Sequence, residues 1–121
     1  MLEAEAVCFE RVSAKSTELA RNLANTRGSV ATPCFMEAAI HDLTKGHPKV
    51  KEVRVLNSDK LQDLGMNLFY NVGKGAISQP RCVIVHYEGN PESKEIDYAL
   101  VGKGVTYDTG GLNLKPTGAM E

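Results

Sequence analysis

An α/β fold, built as a three-layer mixed sheet flanked by helices, is predicted for this chain by three features of its sequence. Apolar residues recur at helical spacing through the N-terminal part. Two runs rich in β-branched residues, RCVIVHYEG at 81–89 and IDYALVG at 96–102, flank the polar stretch NPESKE. A third run, KVKEVRVL at 49–56, is separated from them by residues of helical character. The order is therefore α, α, β, α, β, β. The helical stretch before residue 81 predicts a parallel crossover between the first two strands, and the polar loop predicts a hairpin between the last two.

Each element has its own justification. Residues 4–25 read as a helix: Phe9, Val12, Leu19 and Leu23 fall on one stripe, with Ser16 in the remaining place of the 3–4 spacing. That stripe is only moderately apolar, so the helix is expected to lie across a domain surface or to link two domains. NTRGSVATP, residues 25–33, is a break, and Thr32-Pro33 is a start signal, with Thr as N-cap and Pro as first helical residue. Phe35, Met36, Ala39, Ile40 and Leu43 form the apolar side of the second helix, which Lys45-Gly46 closes. In the 49–56 run, Val50, Val53 and Val55 alternate imperfectly with charge, as a strand. Ser58 is placed to cap a short helix, DKLQDLG, ending at Gly65, and MNLFYNVG adds a further helical turn or two. The near-continuous apolar character of 81–87 and 96–102 predicts strands covered on both faces. VGKG occurs at 72–75 and again at 101–104, but the flanks differ and the pair is not read as a repeat.

Composition narrows the function classes. The chain has 121 residues, enough for one domain of ordinary size. Its net charge of −1 lacks the basic excess that nucleic acid or an anionic membrane would select, so neither is expected as a partner. No apolar run is long enough to span a bilayer, and MLEAEAVCFERV does not resemble a secretory signal. Cys8, Cys34 and Cys82 form no CxxC pair, which leaves zinc knuckles and disulfide frameworks without support. They are expected to be half-buried thiols in a reducing, cytoplasmic setting.

Few residues are candidates for chemistry. Neither VGKG supplies the GxxxxGK[ST] of a phosphate-binding loop or the GxGxxG of a dinucleotide site. His41, His47 and His86 lack the spacing of a helical zinc pair and read as surface or packing histidines. The C-terminal VGKGVTYDTGGLNLKPTGAME differs. Lys103 follows the end of the last expected strand between two glycines, Asp108 is within reach of the same space, and Gly110-Gly111 permits backbone of positive φ. Lys115 can then return toward them, with Pro116 fixing the turn. By spacing alone, a lysine–aspartate pair is an ordinary salt bridge on a solvated loop. The alternative applies where cations are bound. A lysine beside a divalent metal becomes a neutral amine ligand, and an aspartate bridges two metals. A second, protonated lysine then steadies a substrate carbonyl.

These residues closely resemble the signature of the leucyl aminopeptidase (cytosol aminopeptidase) family of di-metal peptidases. The match runs through Lys103, Asp108, Gly110, Gly111, Lys115, Pro116 and Met120. RNLANTRGSVATPCFMEAA and LGMNLFYNVGKGAISQPRCVIVHYEG resemble upstream family segments. Ser29 stands where many members have Asn, Ala76 replaces a frequent Ser or Thr, and one of two paired prolines is missing. The resemblance covers residues from about Arg21 to Glu121.

The resemblance implies a linker helix over 1–27 and the N-terminal part of a catalytic peptidase domain over 28–121. It implies Lys103 and Asp108 as ligands of two divalent cations (zinc, manganese, magnesium or cobalt) and Lys115 as the catalytic residue that polarises the scissile carbonyl. It further implies release of N-terminal residues, leucine preferred, from peptides with a free N-terminus, by a cytoplasmic homo-hexamer. Later family ligands and a catalytic arginine have no counterpart here, so the chain is expected to be a fragment, inactive and aggregation-prone in isolation. A truncated, non-catalytic relative that joins a full-length homologue is the alternative. A small binding module sharing only the sheet topology leaves the GGLNLKP match unexplained.

Overall fold

The computed structural model describes residues 2–119, so the Met120 of the family signature lies outside the described residues. The chain divides into two compact units, Met1–Ala31 and Thr32–Glu121. The first unit is one long helix, α1 (Leu2–Asn25), and a short exit turn. Within it, Ser16 Oγ and Thr26 Oγ1 donate back to the carbonyls of Val12 and Asn22 at 2.9 and 2.6 Å. Their hydroxyls are thus satisfied without external partners.

The second unit begins with α2 (Pro33–Thr44). Thr32 is its N-cap, and Thr32 Oγ1 accepts from the Phe35 amide at 3.3 Å. The helix stops at Lys45, and Gly46 takes φ 71°, a conformation that a β-carbon would strain. Strand β1 (Val50–Leu56) follows, then two short helices, α3 (Ser58–Asp63) and α4 (Asn67–Gly73), then β2 (Cys82–Tyr87). The cap of α3 is Asn57, one residue earlier than expected, with Oδ1 accepting from the Lys60 amide at 3.0 Å. Ser58 is instead the first helical residue, and its hydroxyl is 3.3 Å from Gln79 Oε1. At the end of α4, Gly73 passes so close to Pro80 that a β-carbon would sit 2.6 Å from the proline ring.

The sheet departs from expectation in two ways. First, β1 and β2 pair antiparallel, with Leu56 opposite Cys82 and Val53 opposite Val85, and a bulge between Val50 and Glu52. The parallel crossover is therefore corrected. A parallel return must traverse the strand's length, ~23 Å for seven residues. Helices of six and seven residues span only ~10 Å each, and α3 and α4 fold back on one another. The connection thus delivers the chain to the end of β1 that it just left. Second, residues 96–102 are not a strand. Ile96, Tyr98, Leu100 and Val101 are irregular and largely exposed. β propensity describes fit to a pleated, half-covered surface, and no such surface meets this segment among the described residues. The NPESKE turn does form, with Asn90 Oδ1 accepting from the Glu92 amide at 3.1 Å, but it does not return the chain alongside β2. The observed α/β structure is a two-stranded sheet with helices. Nor is β2 covered on both faces: its second half, from Val85 to Tyr87, is exposed.

Packing centres on α3, which contacts both α4 and β1. Leu61 of α3 is the one described residue with no exposed surface. Arg81, at the entrance to β2, pairs with Glu37 of α2, and both are half-buried. At the opposite end of the sheet, Lys51 Nζ lies 2.8 Å from Glu88 Oε2, and the Glu88 amide donates to the Lys49 carbonyl at 2.8 Å.

Candidate metal and carbonyl site

Aspartate followed by a residue and then glycine favours a tight turn, because the carboxylate can accept the amide two residues on. The chain does this at Asp108, whose Oδ1 accepts from the Gly110 N–H at 2.9 Å. Gly110 has φ 90°, and a β-carbon there would lie 2.3 Å from the Asn113 carbonyl oxygen. Only glycine fits. The Lys115 amide then donates to the Thr109 carbonyl at 2.8 Å, closing the loop and bringing Lys115 back over Asp108.

The three residues singled out in the sequence meet here. Lys115 Nζ is 3.3 Å and Lys103 Nζ 3.8 Å from the same oxygen, Asp108 Oδ2. The lysine–aspartate salt bridge that spacing alone suggests is therefore present. The Gly110 amide hydrogen bond is the largest influence holding the Asp108 carboxyl below its ordinary value of 3.8; the hydrogen bond and charge of Lys115 add to it, and Lys103 contributes least. The cluster is open to solvent: the Lys103 side chain is 76% exposed and that of Asp108 45%. One oxygen of Asp108 is thus fixed by the backbone, while the other faces the two lysine amines.

As a metal site, the donor set is partial. Asp108 supplies a hard oxygen and Lys103 a nitrogen, which suits one edge of a divalent-cation shell. Among the described residues no group of three or more His, Cys, Asp and Glu gathers to complete it. A cavity of about 480 Å³ between α2 and β1, lined by His41, Asp42, Lys45 and Glu52 among others, includes none of the three cluster residues.

The remaining candidates stay apart. His41 is 4.0 Å from Glu37, the His47 ring tilts against Tyr87 at 5.8 Å, and His86 is exposed on β2. The cysteines are all free. Cys8 and Cys34 are exposed and only Cys82 is half-buried, which corrects the expectation of three half-buried thiols. Cys34 Sγ accepts from Ser78 Oγ at 3.3 Å. The Gly110 amide, which orients Asp108, is not among the residues expected to act in the site, although the D-x-G spacing signals it.

The loop lies within a segment that matches known proteins. The profile described as "Cytosol aminopeptidase family, catalytic domain" matches residues 18–121. The probable cytosol aminopeptidase of Geobacter sp. (strain M21) is 40% identical over 119 residues, which is 98% of this chain and 22% of that protein. That of Pseudomonas fluorescens (strain Pf0-1) is 42% identical over 101 residues, 84% of this chain and 20% of the relative. The chain belongs to the cytosol aminopeptidase family. It spans about one fifth of the length of these curated relatives. No helix among the described residues is long and apolar enough to cross a membrane.

Proposed function

We propose that this chain is the segment of a metallo-aminopeptidase that supplies Lys103, Asp108 and Lys115 to its active site. The observation that carries the reading is the convergence of both lysine amines on Asp108 Oδ2, inside the segment that matches the family. Lys103 and Asp108 would hold two divalent cations (zinc, manganese, magnesium or cobalt), which when bound supply an activated water and anchor a free amino group. The Gly110 amide fixes Asp108 Oδ1, so the carboxylate presents Oδ2 in one orientation. The Lys115 ammonium donates to the substrate carbonyl oxygen and stabilises the negative charge that develops on it. The closure of the loop by its own backbone amide keeps that ammonium near Asp108 before substrate arrives. The reading extends to peptides with a free N-terminus as substrates, leucine preferred, and to a cytoplasmic homo-hexamer as the whole assembly.

The test is a chimera in which residues 18–121 replace the matching segment of the Geobacter relative. Leucine-amide hydrolysis that a chelator abolishes, and that Lys115→Ala or Asp108→Asn removes without changing the assembly, is the expected result. A folded chimera of native size with no hydrolysis would overturn the reading.

A further inference from the structure

Two turns near one end of the sheet are built alike and differ in the atom that closes them. In each, a side chain reaches past a proline to the amide two residues on. His47 Nδ1 accepts from the Lys49 N–H across Pro48 at 3.3 Å, and Asn90 Oδ1 accepts from the Glu92 N–H across Pro91 at 3.1 Å. Proline has no N–H, so the amide after it is the first donor within reach. The Asn90 oxygen accepts at any pH. An imidazole nitrogen accepts only while it carries no proton, so the His47 turn requires a neutral ring with its hydrogen on Nε2.

The backbone of His47 is committed as well. Its N–H donates to the Thr44 carbonyl and its carbonyl accepts from the Val50 N–H, both at 3.1 Å. The turn leads straight into the contacts that hold the end of β2, where the Lys49 carbonyl accepts from the Glu88 N–H at 2.8 Å. The titratable groups on the elements that meet there are His41, Asp42 and Lys45 at the end of α2, Lys49 and Lys51 at the start of β1, and His86, Tyr87 and Glu88 at the end of β2. Of these, Glu88 pairs with Lys51, and among the described residues no carboxylate pairs with the His47 ring. Tyr87 is the ring against it, at 5.8 Å. Its face can hold an imidazolium, but it leaves the Lys49 N–H without an acceptor.

We propose that His47 is a proton-sensitive clasp on the turn that opens β1. When neutral, it holds the Lys49 amide. When Nδ1 takes a proton from solvent it becomes a donor, the bond to Lys49 is lost, and the Lys49 end of the sheet loosens together with the Glu88 amide bonded there. The Asn90 turn stays closed over the same pH range, so acid opens one of the two turns and spares the other. The inference does not depend on the peptidase reading.

The test is an NMR titration of the whole chain from about pH 8 to about pH 5, the range in which histidine changes charge. Ring nitrogen shifts at the upper end are expected to show a neutral His47 with its hydrogen on Nε2. The Lys49 amide resonance should then move with the same midpoint as the His47 ring, and the Glu92 amide should not move. Protection of the Glu88 amide from hydrogen exchange, corrected for the intrinsic effect of pH, should fall at least about threefold over the transition. His47→Asn supplies an acceptor that does not titrate, so it should keep the Lys49 amide bonded and abolish its pH response. His47→Ala should leave that amide unprotected at every pH. A neutral ring with its hydrogen on Nδ1 would overturn the proposal without recourse to any variant. A Lys49 response that persists in His47→Asn would overturn it and assign the change to His41 or His86. Equal movement of the Lys49 and Glu92 amides would also overturn it, as a general loosening in acid.

Discussion

The Lys115 amine approaches Asp108 Oδ2 more closely than the Lys103 amine does, 3.3 Å against 3.8 Å, and Lys115 is also the less exposed of the two lysines. Lys115 should therefore depress the Asp108 carboxyl more strongly. An NMR titration of Asp108 is expected to show its pKa rising further in Lys115→Ala than in Lys103→Ala. Equal rises would mean that the two lysines exchange freely at that oxygen.

The same cluster sets a pH dependence with a definite sign. The Asp108 pKa is lowered in the folded loop, so its contribution is present above the ordinary carboxylate value of 3.8 and is lost as pH falls through the lowered one. The Gly110 amide resonance should report this loss, moving only in acid below the ordinary carboxylate range. A transition near neutrality would assign the change to another group.

Gly110→Ala is expected to open the loop. A β-carbon there meets both a positive φ and the Asn113 carbonyl oxygen. Left-handed backbone alone costs a non-glycine residue ~1–2 kcal/mol. Hydrogen exchange at the Lys115 amide, which is bonded to Thr109, should accelerate by at least about tenfold, since 1.4 kcal/mol is tenfold in an equilibrium.

Leu61→Ala should destabilise the second unit by ~2–5 kcal/mol, the range for emptying a buried leucine site. Leu112→Ala, at a fully exposed leucine, should change the melting temperature little. Comparable losses at both sites would show that α3 does not anchor the unit.

The purified chain alone should not hydrolyse leucine amide above background, with or without added manganese or zinc. Its described residues gather one carboxylate and two lysines, and a cation held so sparsely stays mostly water-bound. Sustained turnover would require a site assembled differently from the one described.

What could be read in the sequence was what depends on neighbours along the chain. The Thr32 cap and the Gly46 stop are local chemistry, and both appear where the residues place them. The meeting of Asp108 and Lys115 is likewise local, because one short glycine turn closes it. Strand direction is not local. The run from 57 to 81 looks helical in either topology, and only the lengths of α3 and α4 decide that β2 returns antiparallel. Residues 96–102 carry the strongest β pattern after β2, yet a pattern does not supply the neighbour that a ladder needs.

Antiparallel pairing places the start of β1 and the end of β2 at the same end of the sheet. The contacts of Glu88 with Lys51 and the Lys49 carbonyl therefore act as a mooring for everything that follows. Beyond them the chain crosses the exposed turn at Asn90 and shapes the Asp108 loop mainly through bonds made within that loop. Residues spliced in at Gly89–Asn90 would lengthen the tether to the loop, while the bonds made inside it, Gly110 to Asp108 and Lys115 to Thr109, would keep its shape.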